Sequence, residues 1–164
     1  MATKELAPAI RAFWIAFEAS AGGDHFSRFY EAFHFADSEA SANSLAELVL
    51  RGTKRATAGL VWSFEAASQP LLKPGNLSVV TNWAGEPLCV VETVAVEVVS
   101  FQEVSAEFAS IEGEGDGSLE YWREAHWAYF GRECVRIGKE LSVAMPVACE
   151  QFKVIYRQES QAET

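Results

Sequence analysis

Positive charge is the scarcest property of this 164-residue chain: 13 Lys and Arg stand against 23 Asp and Glu, for a formal net charge of −10 at pH 7. A domain that grips a polynucleotide through its phosphates is usually basic, because each neutralised phosphate releases counterions. This chain cannot do so over its whole surface. Cysteine is nearly as scarce. Cys89, Cys134 and Cys149 are odd in number, far apart and in no metal-ligand spacing. That excludes a structural zinc site and reads as buried, inert thiols in a reducing compartment. No apolar run approaches the ~20 residues of a membrane helix, and the opening MATKELAPAI lacks a basic segment followed by an apolar one. A cytoplasmic location without membrane contact is the expectation. Repeats, low-complexity tracts, a GxSxG elbow, a phosphate-binding glycine loop, HExxH and CxxC are all missing, which sets those familiar enzyme classes aside.

What is present fits one globular domain. Apolar residues make up 49% of the chain and aromatics 12%, enough to bury a core and oppose disorder. The acid excess is uneven: residues 102–120 carry six acids and no base, whereas 121–139 carry four bases and two acids. Leu6, Ile10, Phe13, Trp14 and Phe17 fall on one helical face, with Gly22-Gly23 as a stop. The aromatic stretch 26–35 is expected to be a short helix packed on the first. A second helix runs from an Asp37 or Ser38 cap to Gly52. Strands are expected over 56–62, after the Pro74-Gly75 turn, over 88–101 as one long bent strand, and over 147–157. A short helix capped by Ser100 or Ser105 precedes EGEGDG (112–117), which cannot be regular structure. Helix returns at Ser118, with Leu119, Trp122, His126, Tyr129 and Phe130 on one face. This order argues for an α+β fold with a small mixed or antiparallel sheet, closing into a barrel. It divides into a helical part at 5–51, a barrel and helix core at 52–157, and a flexible tail at 158–164.

Three segments could carry chemistry. Gly52-Thr53-Lys54-Arg55-Ala56-Thr57 puts two cations beside a hydroxyl, suited to a carboxylate, a phosphate or a developing oxyanion. Residues three apart on a regular strand face opposite ways, so Lys54 and Thr57 cooperate only if the backbone turns between them. The plainer alternative is a helix end whose cations complement its dipole. The glycines of EGEGDG can bring Glu112, Glu114 and Asp116 together, or the loop is a solvated helix cap. On the next helix, His126 is a candidate for the site or a packing residue. Arg123 beside Trp127 would make a wall for a planar ring.

Taken together, Gly52-x-Lys54-x-x-Thr57, the valine-rich strand, Glu112-Gly-Glu114-Gly-Asp116, the Trp122-Arg123-x-x-His126 helix and Cys149-Glu150-x-Phe152 resemble an ASCH domain of the longer bacterial branch. The resemblance spans about Phe13 to Tyr156. It implies a PUA-like β-barrel with packed helices and an N-terminal helical extension. It also implies one of two activities: RNA binding or ribonuclease action, or removal of the acyl group from N4-acetylcytidine by small relatives that use Lys, Thr and Glu. Carried over, these are Lys54 as base, Thr57 as nucleophile and Glu112, with Glu114 as the alternative, as proton shuttle. Arg55, Trp122, Arg123, His126 and Asp116 are the expected substrate contacts. No metal or cofactor is called for. The leading expectation is an amidohydrolase of N4-acylated cytidine or a related nucleoside, since a nucleoside has no phosphate backbone to repel. An RNA-binding domain or ribonuclease, and a non-catalytic receptor for a modified nucleoside, are the alternatives.

Overall fold

The structure, a computed structural model, describes residues 6–158. Most of the tail expected at 158–164, and residue 5, lie outside them. Helix α1 (Pro8–Ala21) starts with a proline in its first turn and stops at Gly22, whose φ of 81° suits a residue without Cβ. It buries Ile10, Phe13, Trp14 and Phe17 against Leu77, Val79 and Val90 of the sheet.

The aromatic stretch corrects the sequence reading. Phe26–Arg28 form a single 3-10 turn, and Phe29–Phe33 are strand β1, not a helix. The pairing explains this: β1 runs parallel to β3 (Leu77–Thr81) and so satisfies its backbone outside itself. Helix α2 (Glu39–Leu50) takes Ser38 as its N-cap, the hydroxyl accepting from Ser41 N at 3.3 Å. Strand β2 (Ala56–Leu60) stops sooner than expected, and helix α3 (Val61–Ala66) follows at once. Strand β4 (Pro87–Ser100) is the long bent strand, its bends falling at register shifts between Val90 and Val91 and between Thr93 and Ala95. Helix α4 (Ala106–Glu112) is capped by Ser105, so Glu112 ends a helix and only Gly113 onward is irregular. Helix α5 (Leu119–Ile137) is capped by Ser118, and strand β5 (Pro146–Arg157) ends the fold.

The mixed five-stranded sheet has the order β1-β3-β4-β5-β2, antiparallel except for β1 on β3. Its edge strands β1 and β2 do not pair with each other, so the expected barrel is an open sheet. Period-two alternation separates the two faces. Val79 and Val90 meet α1, whereas Val80 and Val91 meet Val49 and Phe35 beneath α2. Helices α4 and α5 pack their Phe108, Trp122 and Phe130 on Ala56, Leu60 and Val147 of β2 and β5. A cavity remains on the α2 side of the sheet, with α5 along it.

Candidate active site

Lys54 sits in the short irregular segment between α2 and β2. The chain turns there because Gly52 takes φ 78° and the Thr53 and Lys54 amides both donate to Leu48 O, at 3.0 and 3.1 Å. That turn lies ahead of Lys54 rather than between it and Thr57, and it leaves the lysine side chain pointing inward just before β2 begins. Its side chain is 1% exposed and donates to Ala56 O at 2.8 Å and Glu114 Oε1 at 3.1 Å. The amine also lies 3.9 Å from Glu112 Oε1 and 5.1 Å from the Phe35 ring centroid.

The two glutamates reach Lys54 from the end of α4. The Arg55 amide donates to Ile111 O at 3.0 Å, fastening that helix end to the lysine segment. Gly113 then packs directly on the same segment: with φ at 67°, a Cβ here would lie 2.3 Å from Thr53 O. Gly113 is therefore needed for the carboxylates to meet Lys54.

His126 completes the cluster from α5. Its Nδ1 pairs with Trp122 O at 2.9 Å within the helix, leaving Nε2 3.2 Å from Glu112 Oε2 and 3.9 Å from Glu114 Oε2. Its ring stacks on Trp122 at 4.1 Å between centroids. Burial alone would lower the proton affinity of the imidazole, but Glu112 and Glu114 outweigh it and raise the pKa above the ordinary histidine value. Burial likewise works to raise the Glu112 carboxyl, but Lys54 and His126 hold it below the usual carboxylate range. Glu112, Glu114 and His126 each offer a ligand atom within 4.8 Å of the others. The Lys54 amine already brings positive charge to the same two carboxylates, and a metal ion would have to compete with it.

Beside this cluster opens a cavity of about 710 Å³, large enough for a nucleoside-sized molecule. Thr57, Glu114 and His126 line it, together with aromatic rings such as Phe35, Tyr121 and Phe152. Lys54 and Glu112 are sealed behind that wall, each 1% exposed. The hydrogen bonds of the Lys54 amine go to Ala56 O and Glu114, and among the described residues none joins it to the Thr57 hydroxyl. The expected substrate contacts divide. His126 lines the cavity, whereas Trp122 is buried and supports the imidazole from behind. Arg55, Arg123 and Asp116 are exposed and outside the cavity wall. Asp116 caps a turn by accepting from Ser118 N at 2.9 Å.

Of the cavity residues not named as site residues from sequence, one is a buried carboxylate. Glu150 of β5 is the cross-strand partner of Thr57, is 6% exposed, and accepts from Thr93 Oγ1 at 2.6 Å. Burial pushes its carboxyl up to about 7; the Thr93 hydrogen bond and Lys54 act against the rise and Glu31 acts with it. The signal in the sequence was a lone carboxylate inside the otherwise buried run from Val147 to Cys149 and Phe152. Neither Glu92, which pairs with Arg28 at 3.4 Å, nor Tyr30, which donates to Pro70 O, is part of the wall.

The three cysteines are free and buried, and burial pushes the Cys89 and Cys149 thiols up to about 12, well away from reactivity. No helix among the described residues is long and apolar enough to cross a membrane.

A family model described as ASCH domain matches residues 31–156. Among solved structures, an ASCH domain from Lactobacillus crispatus JV V101 is 35% identical, covers 96% of this chain and 100% of its own, and superposes with a TM-score of 0.86. A protein from Enterococcus faecalis V583 assigned to the family model DUF984 is 27% identical over 90% of this chain and 88% of its own, with a TM-score of 0.82. Comparison with curated proteins finds no match. ASCH domains are PUA-like and are linked to RNA binding and to amidohydrolase activity. Matched over residues 31–156 by the family model and over 96% of its length by a 35%-identical ASCH structure, the chain belongs to the ASCH domain family.

Proposed function

We propose that the protein is an amidohydrolase that removes the acyl group from an N4-acylated cytidine or a related nucleoside. The observation that carries this reading is that Glu114 lines the cavity together with Thr57 while bonded to the buried Lys54 amine at 3.1 Å. A proton-handling pair thus adjoins a hydroxyl on a cavity wall, with aromatic rings to hold a planar base. Of the two glutamates, Glu114 takes the proton-shuttling role, because it both lines the cavity and accepts from the Lys54 amine at 3.1 Å, whereas Glu112 lies 3.9 Å from that amine and off the wall. Glu112 positions Lys54 and His126 from behind.

In the reactive form, the proton between Lys54 and Glu114 rests on the carboxyl, leaving the amine its lone pair. Lys54 takes the Thr57 hydroxyl proton as the oxygen attacks the acyl carbon. As the acyl–N4 bond breaks, Glu114 gives its proton to the departing nitrogen. That leaves an acyl ester on Thr57, an ammonium on Lys54 and a carboxylate on Glu114. Water then attacks the ester, its proton passing to Glu114 while Lys54 returns a proton to the Thr57 oxygen. The pair is restored, and one water has been consumed for one amide.

The cavity wall carries the carboxylates Glu31, Asp37, Glu114 and Glu150 against one arginine, Arg132, which pairs with Asp37 at 2.6 Å; this excess of acid favours an uncharged nucleoside over a polynucleotide. The test is release of cytidine from N4-acetylcytidine. Turnover by the wild type, reduced at least about a hundredfold in Thr57→Val and Glu114→Gln, is expected. Absence of turnover, or equal turnover in Thr57→Val, overturns the reading.

A further inference from the structure

Glu150 is the buried titratable group that the hydrolytic cluster leaves unused. Directly opposite residues on antiparallel strands hold their Cβ atoms about 5 Å apart, and Glu150 and Thr57 are such a pair, both on the cavity wall. Thr93 on β4 donates to one carboxyl oxygen, Oε2, and so fixes the group across the strand. In a cytosine the ring atom N3 lies next to the carbon that bears N4. A group facing N3 therefore sits about one side chain away from a group facing the acyl carbon on N4. We propose that Glu150 is the substrate-reading residue of this cavity, its carboxyl donating a hydrogen bond to the N3 acceptor of a cytosine while N4 is turned toward Thr57. The inference deepens the amidohydrolase reading and uses its substrate class, but the contact it names is a binding contact and can be measured without turnover.

Protonation decides which base edge is accepted. A protonated carboxyl donates to the N3 lone pair of cytosine; the carboxylate accepts from the N3–H of uracil. With its pKa near 7, Glu150 supplies both forms around neutrality. The groups that set this balance face it from several elements: Glu31 of β1, Thr93 of β4, and Lys54 before β2. Glu31 opposes charge on Glu150, Thr93 and Lys54 favour it, and Tyr30 of β1, whose own pKa Glu150 raises, stays neutral in this range.

The test is equilibrium binding of cytidine and of uridine to the full-length protein by calorimetry between about pH 6 and about pH 8. The wild type is expected to bind cytidine in preference to uridine at the acid end, with that preference falling about tenfold or more across the range. Glu150→Gln, which still accepts from Thr93 and carries a permanent N–H, is expected to keep cytidine binding without the pH dependence. Glu150→Leu is expected to lose the preference at every pH. A pH-independent wild-type preference, an unchanged preference in Glu150→Leu, or no binding of either nucleoside overturns the inference. If the binding pattern holds but N4-acetylcytidine is not hydrolysed, the amidohydrolase reading fails alone.

Discussion

Replacing Lys54 by Met is the sharpest test of the buried charge cluster. The substitution keeps most of the apolar stem and removes the charge together with the hydrogen bond to Ala56 O. Lys54 and Glu112 are each 1% exposed, and the amine lies 3.1 Å from Glu114 and 3.9 Å from Glu112. An exposed ion pair would be worth at most about 1 kcal/mol. Breaking a buried one by removing a partner costs about 3–5 kcal/mol, because the remaining charge is left without compensation. Glu112 would keep His126 and the Trp122 side chain but lose the lysine charge, so the larger figure applies. A loss of that size is a large share of the roughly 5–15 kcal/mol that holds a domain together. With a urea dependence of about 1–3 kcal/mol per molar, the unfolding midpoint should fall by about 2 M. Adding Glu112→Gln to Lys54→Met removes the stranded charge and should recover about 1–3 kcal/mol. The sign with pH is also fixed. Glu112 has a lowered pKa in the folded state, so its stabilising contribution is present above the ordinary value of 4.5 and lost as pH falls through the lowered one. The gap between wild type and Lys54→Met should therefore narrow in acid. A loss below about 1 kcal/mol, or a double variant no better than the sum of the singles, refutes the argument.

Other expectations follow from the same geometry. Gly113→Ala forces a Cβ to 2.3 Å from Thr53 O at φ 67°, where backbone must move, and a thermal melt should show a loss well above the ~1–2 kcal/mol of a left-handed residue alone. Gly115→Ala meets the Tyr121 ring at 2.5 Å, but that side chain is 43% exposed and can swing away, so its cost should stay near the left-handed figure. Glu150→Gln should stabilise the fold at alkaline pH. A carboxyl raised from 4.5 to about 7 binds its proton more tightly folded than unfolded, so wild-type stability falls as pH rises between those values, by up to about 3 kcal/mol. Urea midpoints at about pH 8 should therefore favour Glu150→Gln, and at about pH 4 the two proteins should agree.

The sequence made the helices legible wherever a cap and an apolar face coincided. Ser38, Ser105 and Ser118 each accept a hydrogen bond from the first turn of their helix, and Ile10, Phe13, Trp14 and Phe17 bury as their spacing requires. Helix α3 escaped because it starts directly from β2, with Leu60 as a cap that makes no side-chain hydrogen bond. Strand β1 escaped because its conformation is imposed by the parallel pairing with β3, which no local pattern in FYEAF announces. At the site, the Lys54, Glu112, Glu114 and His126 positions were readable as three separate motifs, and only the fold brings them within hydrogen-bonding and ion-pair range. Which glutamate faces the cavity was not readable, since Glu112 and Glu114 differ only in which side of the helix end they occupy. Glu150 was hidden for a related reason: its place opposite Thr57 comes from the register of two strands far apart in the chain.

In the proposed reaction a threonine on the cavity wall carries the acyl group between substrate and water. The decisive experiment mixes the protein with N4-acetylcytidine, quenches in acid within the first turnover and measures peptide masses. One added acetyl group is expected on the peptide containing Thr57, absent in Thr57→Val. Cytidine release at the wild-type rate by Thr57→Val, or an acetyl group that accumulates on a different residue, would contradict it.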